Sequence, residues 1–265
     1  SEGIKGPSGN LVRIVMFAHG ALCMAVSGKC YLSLQTYGAS ANRGACYQLC
    51  RRGYEVTDLE TGTKLNIDNK YIMSPKDLCT IEFMDKIIDA GVKVFKIEGR
   101  ARSAEYVKKT AECYRRAADA VCEGRYTPEL AASLKEELSE VFNRGFWDGY
   151  YQGARLGEWS DVYGSHATRK KIYCGKITNW FDRISVAEVL VESEALRKGD
   201  DILIIGETTG VIEQNVSEIR VDLKPTDEAG KGTLCSIPII FPDDIRTPGG
   251  KKIRRGDKVY IWREV

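Results

Sequence analysis

The chain has 265 residues, 43% hydrophobic and 29% charged, with a formal net charge of +2. This is an ordinary globular composition for one large domain or two smaller ones, and it excludes a low-complexity or strongly polyanionic chain. No run approaches the roughly 18 consecutive apolar residues of a membrane span, and the polar, Gly-rich start from Ser1 to Asn10 lacks the apolar centre of a signal peptide. A cytoplasmic location without membrane association is the expectation.

Val12 to Phe17 reads as a short β-strand that opens into His19-Gly20-Ala21-Leu22-Cys23. The stretch that follows, to Cys50, is Gly- and Cys-rich and lacks the apolar periodicity of a regular element. Another strand is predicted over Ile67 to Met73. Ser74-Pro75-Lys76-Asp77 carries the marks of a helix start, Ser as N-cap and Pro at the first helical position, for a helix to about Ala90 closed by Gly91. Val92 to Ile97 is the next strand, with Glu98-Gly99-Arg100 at its C-terminal end. Ser103 caps a long helix to about Glu123, and Pro128 to Phe142 forms another. Alternating strands and helices predict βα units and a parallel sheet.

Gly145 to Gly164, with its WDGYYQG run, reads as a docking or linker segment. Beyond it short β runs alternate with turns: Ile172–Ile177, Ile184–Val191, Asp201–Ile205, Ser217–Val221, Thr233–Pro238 and Lys258–Trp262. Lys198-Gly199-Asp200 and Arg255-Gly256-Asp257 supply turn chemistry. This pattern predicts a small β-barrel or sandwich. The domains are therefore placed at 1–168 and 169–265. Acidic and basic side chains balance in the second, yet Lys251, Lys252, Arg254, Arg255 and Lys258 form a local basic cluster.

Nine cysteines are many for a reducing compartment, where structural disulfides are rare. Cys113, Cys122, Cys174 and Cys235 are scattered and read as ordinary buried small residues. Cys23, Cys30, Cys46 and Cys50 crowd into one segment, and Cys79 follows. Thiolates ligate iron–sulfur clusters and structural zinc. Only Cys46 and Cys50 form a tight pair of the zinc type, so the irregular spacing favours a cluster, with zinc as the alternative. His19, four residues before Cys23, is an alternative ligand. Arg43 and the Arg51-Arg52 pair flank the cysteines and offer cationic groups to thiolates or to an anionic ligand. A cysteine peptidase would need a Cys–His pair, and only His19 and His166 are available. There is no H-E-x-x-H zinc-peptidase motif.

The run FAHGALCMAVSGKCYLS, followed by NRGACYQLCRRGY, resembles the signature of peptidase family U32, the collagenase-like proteins, and SPKDLC at 74–79, FKIEGRARSAEYV at 95–107 and FNRGFWDGYY at 142–151 agree with it. The resemblance covers nearly the whole chain. It implies part of a modified TIM-type barrel followed by a small elongation-factor-like β-barrel. It also implies a 4Fe-4S cluster and oxygen-independent hydroxylation of RNA, above all of a tRNA wobble uridine to 5-hydroxyuridine, with prephenate as the small carboxylate donor. The implied ligands are Cys23, Cys30, Cys46 and Cys79, with Cys50 as the competing fourth. Glu98, Arg100 and Arg43 are the candidate catalytic residues. A closed (βα)8 barrel takes about 250 residues, so a further half barrel is expected, from a homodimer or from a complementing N-terminal half. The family name keeps a collagenase-like peptidase as the second reading. A non-catalytic RNA- or protein-binding piece is the third.

Overall fold

The structure, a computed structural model, describes residues 3–23, 25, 30–67, 75–100, 102–154, 157–158, 160, 164–241 and 253–265. Two compact units emerge, residues 1–102 with 109–167, and residues 103–108 with 168–265. No helix among the described residues is long and apolar enough to cross a membrane.

The first unit is built on β1 (Val15–Ala21), β4 (Asp77–Cys79), β5 (Val94–Ile97) and β6 (Phe146–Trp147), in the order β5-β1-β4-β6. Between β1 and β4 lie α1 (Tyr31–Tyr37), two 3₁₀ turns (Ala41–Arg43 and Leu49–Arg51) and a hairpin of β2 (Tyr54–Thr57) and β3 (Lys64–Ile67). β1 runs parallel to β5 and β4 parallel to β6, but β4 is antiparallel to β1. The all-parallel sheet of a TIM-type barrel is therefore not what this unit shows. The physical reason lies in the β1–β4 connection. A parallel return needs a crossover element, usually a helix, packed on the sheet. The described part of this connection holds only short turns, a seven-residue helix and a hairpin.

The helix expected from Ser74 to Ala90 is also corrected. Ser74 lies outside the described residues, and Asp77, Leu78 and Cys79 form a buried strand rather than the first helical turn. A 3₁₀ turn (Ile81–Phe83) then leads into α2 (Met84–Asp89), and Gly91 takes φ +88 just past its end. Pairing with both neighbours gave the β conformation to a segment whose local signals favoured a helix. The strand expected over Ile67–Met73 meets the structure only at Ile67, the end of β3, because 68–73 lie outside the described residues.

α3 (Ala104–Cys122) and α4 (Pro128–Ser139) follow their sequence signals. Thr110, Cys113, Tyr114, Ala117 and Ala120 are buried at helical spacing along α3. The Thr127 side chain caps α4 by accepting the Leu130 N–H at 3.2 Å, with Pro128 opening the helix. Leu134 and Leu138 of α4 close the core with Ile81, Met84 and Ala18, all fully buried. Each large aliphatic buried this way stabilises the unit by about 1.5–3 kcal/mol.

The second unit is an antiparallel sheet of eight strands. Its members are β7 (Arg169–Phe181), β8 (Val186–Val191), β10 (Asp201–Gly206), β11 (Gly210–Asn215), β12 (Ile219–Val221), β13 (Lys224–Thr226), β15 (Leu234–Pro238) and β16 (Lys258–Glu264). Their order is β11-β10-β16-β7-β8-β15-β12-β13, and β9 (Leu196–Arg197) pairs separately with β14 (Glu228–Ala229). Residues from both ends of the order, Ile212 and Ile219 among them, join one buried cluster with Ile177, Val189 and Ile261. A flat sheet cannot bring its two ends into one core, so this one curls. The fold is thus mixed α/β with a large antiparallel sheet. The expected β runs are all present, while β11, with two turn glycines nearby, carried no clear signal. Cys113, Cys174 and Cys235 are buried as expected, whereas Cys122 is exposed.

Candidate metal centre

β1 delivers its last residues to the cysteine segment, and Cys23 follows two positions after the strand ends, exposed, its sulfur accepting the Ala25 N–H at 3.3 Å. Cys30 occupies the N-cap of α1 in an extended conformation. There the Ser33 backbone N–H draws its thiol below the ordinary value, and the Ser33 hydroxyl lies 3.8 Å from the sulfur. Cys46 is exposed between the two 3₁₀ turns, and Cys50 is half-buried within the second. Burial pushes the Cys50 thiol up, Arg51 pulls it down, and the charges of Cys46, Cys23 and Cys30 push it up again. Cys50 thus lies within electrostatic reach of Cys23, Cys30 and Cys46.

Cys79 lies on β4. It is buried opposite His19 of β1, with the Tyr114 hydroxyl 3.9 Å from its sulfur. Burial raises its thiol to about 11. His19 is equally buried, edge-on to Tyr114 and tilted against Phe146, and burial followed by the charge of Arg102 lowers it to about 3. A neutral imidazole beside a thiol held protonated has the wrong electrostatics for a Cys–His nucleophile, which needs a thiolate.

Glu98 and Arg100 lie just beyond β5. The Glu98 N–H donates to the His19 carbonyl at 2.9 Å, and its carboxylate accepts the Arg100 backbone N–H at 2.7 Å, which shapes the loop. The Arg100 guanidinium is left exposed, pointing to the cysteine segment: a Cβ on Gly44 would stand 4.0 Å from its Nη1. Arg43 is exposed at the end of the neighbouring 3₁₀ turn. Arg51 donates to Gln48, and Arg52 donates to the Tyr37 hydroxyl at 3.0 Å.

Among the described residues, no group of three or more His, Cys, Asp and Glu side chains stands close enough to hold a metal ion. A tetrahedral zinc with Zn–S near 2.3 Å needs its thiolates about 3.8 Å apart. The donor set itself is rich in sulfur. Four thiols share the segment, and Arg51 offsets thiolate charge at Cys50.

Sequence reasoning missed the most buried charges of this unit. Asp77 is held between Arg102 and Arg144, both at 3.2 Å, and the two guanidinium groups lie over the Phe142 ring with centroid distances of 4.1 and 5.3 Å. Burial raises the Asp77 carboxyl while the arginines pull it down. No spacing signal marks residues so far apart in sequence.

Residues 5–161 match the family model described as Peptidase family U32. The chain is 56% identical to a protein named "Collagenase" from Porphyromonas gingivalis, over 98% of this chain and 60% of that protein. It is 32% identical to "tRNA hydroxylation protein P1" of Bacillus subtilis, over 74% of this chain and 47% of that protein. To a 23S rRNA 5-hydroxycytidine synthase of Escherichia coli it is 40% identical, over 55% of this chain and 23% of that one. The chain thus spans about 60% or less of the length of these relatives. With the cysteine segment, β1, β4 and β6 all inside the matched stretch, the chain belongs to peptidase family U32.

Proposed function

We propose that this chain is the cluster-carrying part of an oxygen-independent RNA hydroxylase, with Cys23, Cys30 and Cys46 as ligands of a 4Fe-4S cluster and Cys79 or Cys50 as the fourth. The observation that supports this reading is geometric: Cys30, Cys46 and Cys50 lie on short turns between β1 and β2, with the Arg100 guanidinium beside Gly44. The bound cluster would supply redox chemistry. Arg100 and Arg43, exposed beside the cysteine turns, would clamp the carboxylates of a small donor such as prephenate, because a guanidinium offers two parallel N–H donors. Glu98 acts through Arg100 by fixing its backbone. The names of the Bacillus and Escherichia relatives support RNA as the substrate, and a tRNA uridine is the first target to test.

The test is anaerobic purification followed by iron, sulfide and zinc analysis and nucleoside analysis of tRNA. About four irons and four sulfides per chain, with 5-hydroxyuridine lost when the cysteines are replaced, is the expected result. Zinc alone, or a folded metal-free chain, overturns the reading. Peptide cleavage surviving iron removal would instead restore the peptidase suggested by the Porphyromonas relative's name.

A further inference from the structure

The basic cluster of the second unit is absorbed by none of the above. Part of it, Arg254 and Arg255, lines a cleft of about 590 Å³ with Thr178, Asn179, Trp180 and Glu188. It is a shallow cleft that opens widely to solvent. The cleft is made by the C-terminal end of β7, by β8 and by the turn that enters β16.

The turn is held rigidly. The Gly256 N–H donates to the Ile177 carbonyl and the Ile177 N–H to the Asp257 carbonyl, each at 2.8 Å. The buried Asp257 carboxylate accepts the Arg254 N–H at 2.8 Å and the Thr209 hydroxyl at 2.5 Å. Gly256, at φ +93, completes the turn. The backbone of the two arginines is thereby fixed, while both side chains are exposed and make no ion pair among the described residues. Trp180 is fixed as well. Its indole N–H donates to Asp182 at 3.2 Å, and its ring meets Phe241 edge-on at 5.6 Å. Glu188, whose carboxylate accepts the Thr178 hydroxyl at 2.6 Å, is the acidic group inside the cleft.

We infer that this cleft binds a single-stranded RNA segment, with a base stacked on Trp180 and its flanking phosphates on Arg254 and Arg255. An aromatic face beside cationic groups is the pairing that single-stranded nucleic acid requires. The arginines supply the phosphate contacts. Glu188 does not contradict this, since a carboxylate accepts the amino group of cytosine. The inference rests on the RNA-hydroxylase reading only for its choice of ligand. The site belongs entirely to the second unit and shares no residue with the cysteine segment.

The experiment is fluorescence anisotropy of a labelled oligocytidylate with the full chain, titrated with salt, on protein both with and without iron. Expected is binding that does not depend on iron. It weakens at least tenfold in the Arg254→Ala/Arg255→Ala double variant, whose salt slope falls by about 1.4, or 0.7 for each phosphate no longer neutralised. Trp180→Ala weakens it by roughly five- to hundred-fold, and Trp180→Phe, which keeps a stacking ring, retains most of the affinity. Unchanged affinity in the double variant overturns the inference. So does equal binding of polyglutamate, which would mark the cleft as a site for acidic protein. Because no turnover is measured, failure here leaves the cluster reading standing, and an iron-free chain that still binds RNA separates the two the other way.

Discussion

His19 and Cys79 face each other across β1 and β4, and the hydroxyl of Tyr114 reaches both, 3.4 Å from the imidazole Nδ1 and 3.9 Å from the sulfur. The same hydroxyl accepts the Thr80 N–H and donates to the Ala18 carbonyl, each at 2.9 Å. One buried oxygen from α3 thus ties the two strands that lead into and out of the cysteine segment. Tyr114→Phe removes it and leaves the Thr80 N–H and the Ala18 carbonyl only their 3.2 Å bond to each other. Chemical denaturation should show a loss of about 1 kcal/mol, with no loss of iron.

His19 makes stability depend on pH. Its folded value, about 3, lies below the ordinary 6.5. Between these values the unfolded chain takes up a proton that the folded chain refuses. Stability from this residue is therefore full above pH 6.5 and is lost as pH falls toward 3, by up to about 1.4 kcal/mol per pH unit. Urea midpoints measured from pH 7 to pH 4 should fall more steeply for the native chain than for His19→Gln, which has nothing to protonate.

Asp77 balances two buried guanidinium groups. Asp77→Asn keeps the shape and removes the carboxylate charge that Arg102 and Arg144 flank. The expected cost is about 3–5 kcal/mol, read as a shift in denaturation midpoint. Replacing all three with apolar residues should cost much less than Asp77→Asn alone.

Cys50 and Cys79 compete for the fourth ligand position. Cys23→Ser, Cys30→Ser and Cys46→Ser should each lose most of the iron after anaerobic reconstitution. Of Cys50→Ser and Cys79→Ser, the variant that loses iron identifies the fourth ligand, and the other should retain it.

Gly20 is needed where β1 meets the loop after β5. It holds φ +119, and a Cβ there would fall 2.8 Å from the Cβ of Glu98 and 3.0 Å from its carbonyl oxygen. Gly20→Ala should destabilise by more than the roughly 1 kcal/mol of an ordinary glycine replacement. It should also displace Glu98 and Arg100 together, seen as weaker donor binding with iron content unchanged.

What the sequence alone determined is what local pattern can carry. The apolar spacing of α3, the Thr127-Pro128 start of α4, and the alternation and turns around Gly199 and Gly256 are all short-range signals. The cysteine-rich segment and its flanking arginines were equally plain, because residue type announces ligand chemistry whatever the fold. What only the tertiary structure decided were the long-range choices. Asp77–Cys79 carried a helix start yet became a strand, since two neighbouring strands supply its backbone with hydrogen bonds. The burial of Cys79 follows from that strand, which sets its side chain opposite His19. The Asp77–Arg102–Arg144 group and the cleft of Trp180 with Arg254 unite residues distant in the chain, and no periodicity within any one segment encodes a meeting that packing alone brings about.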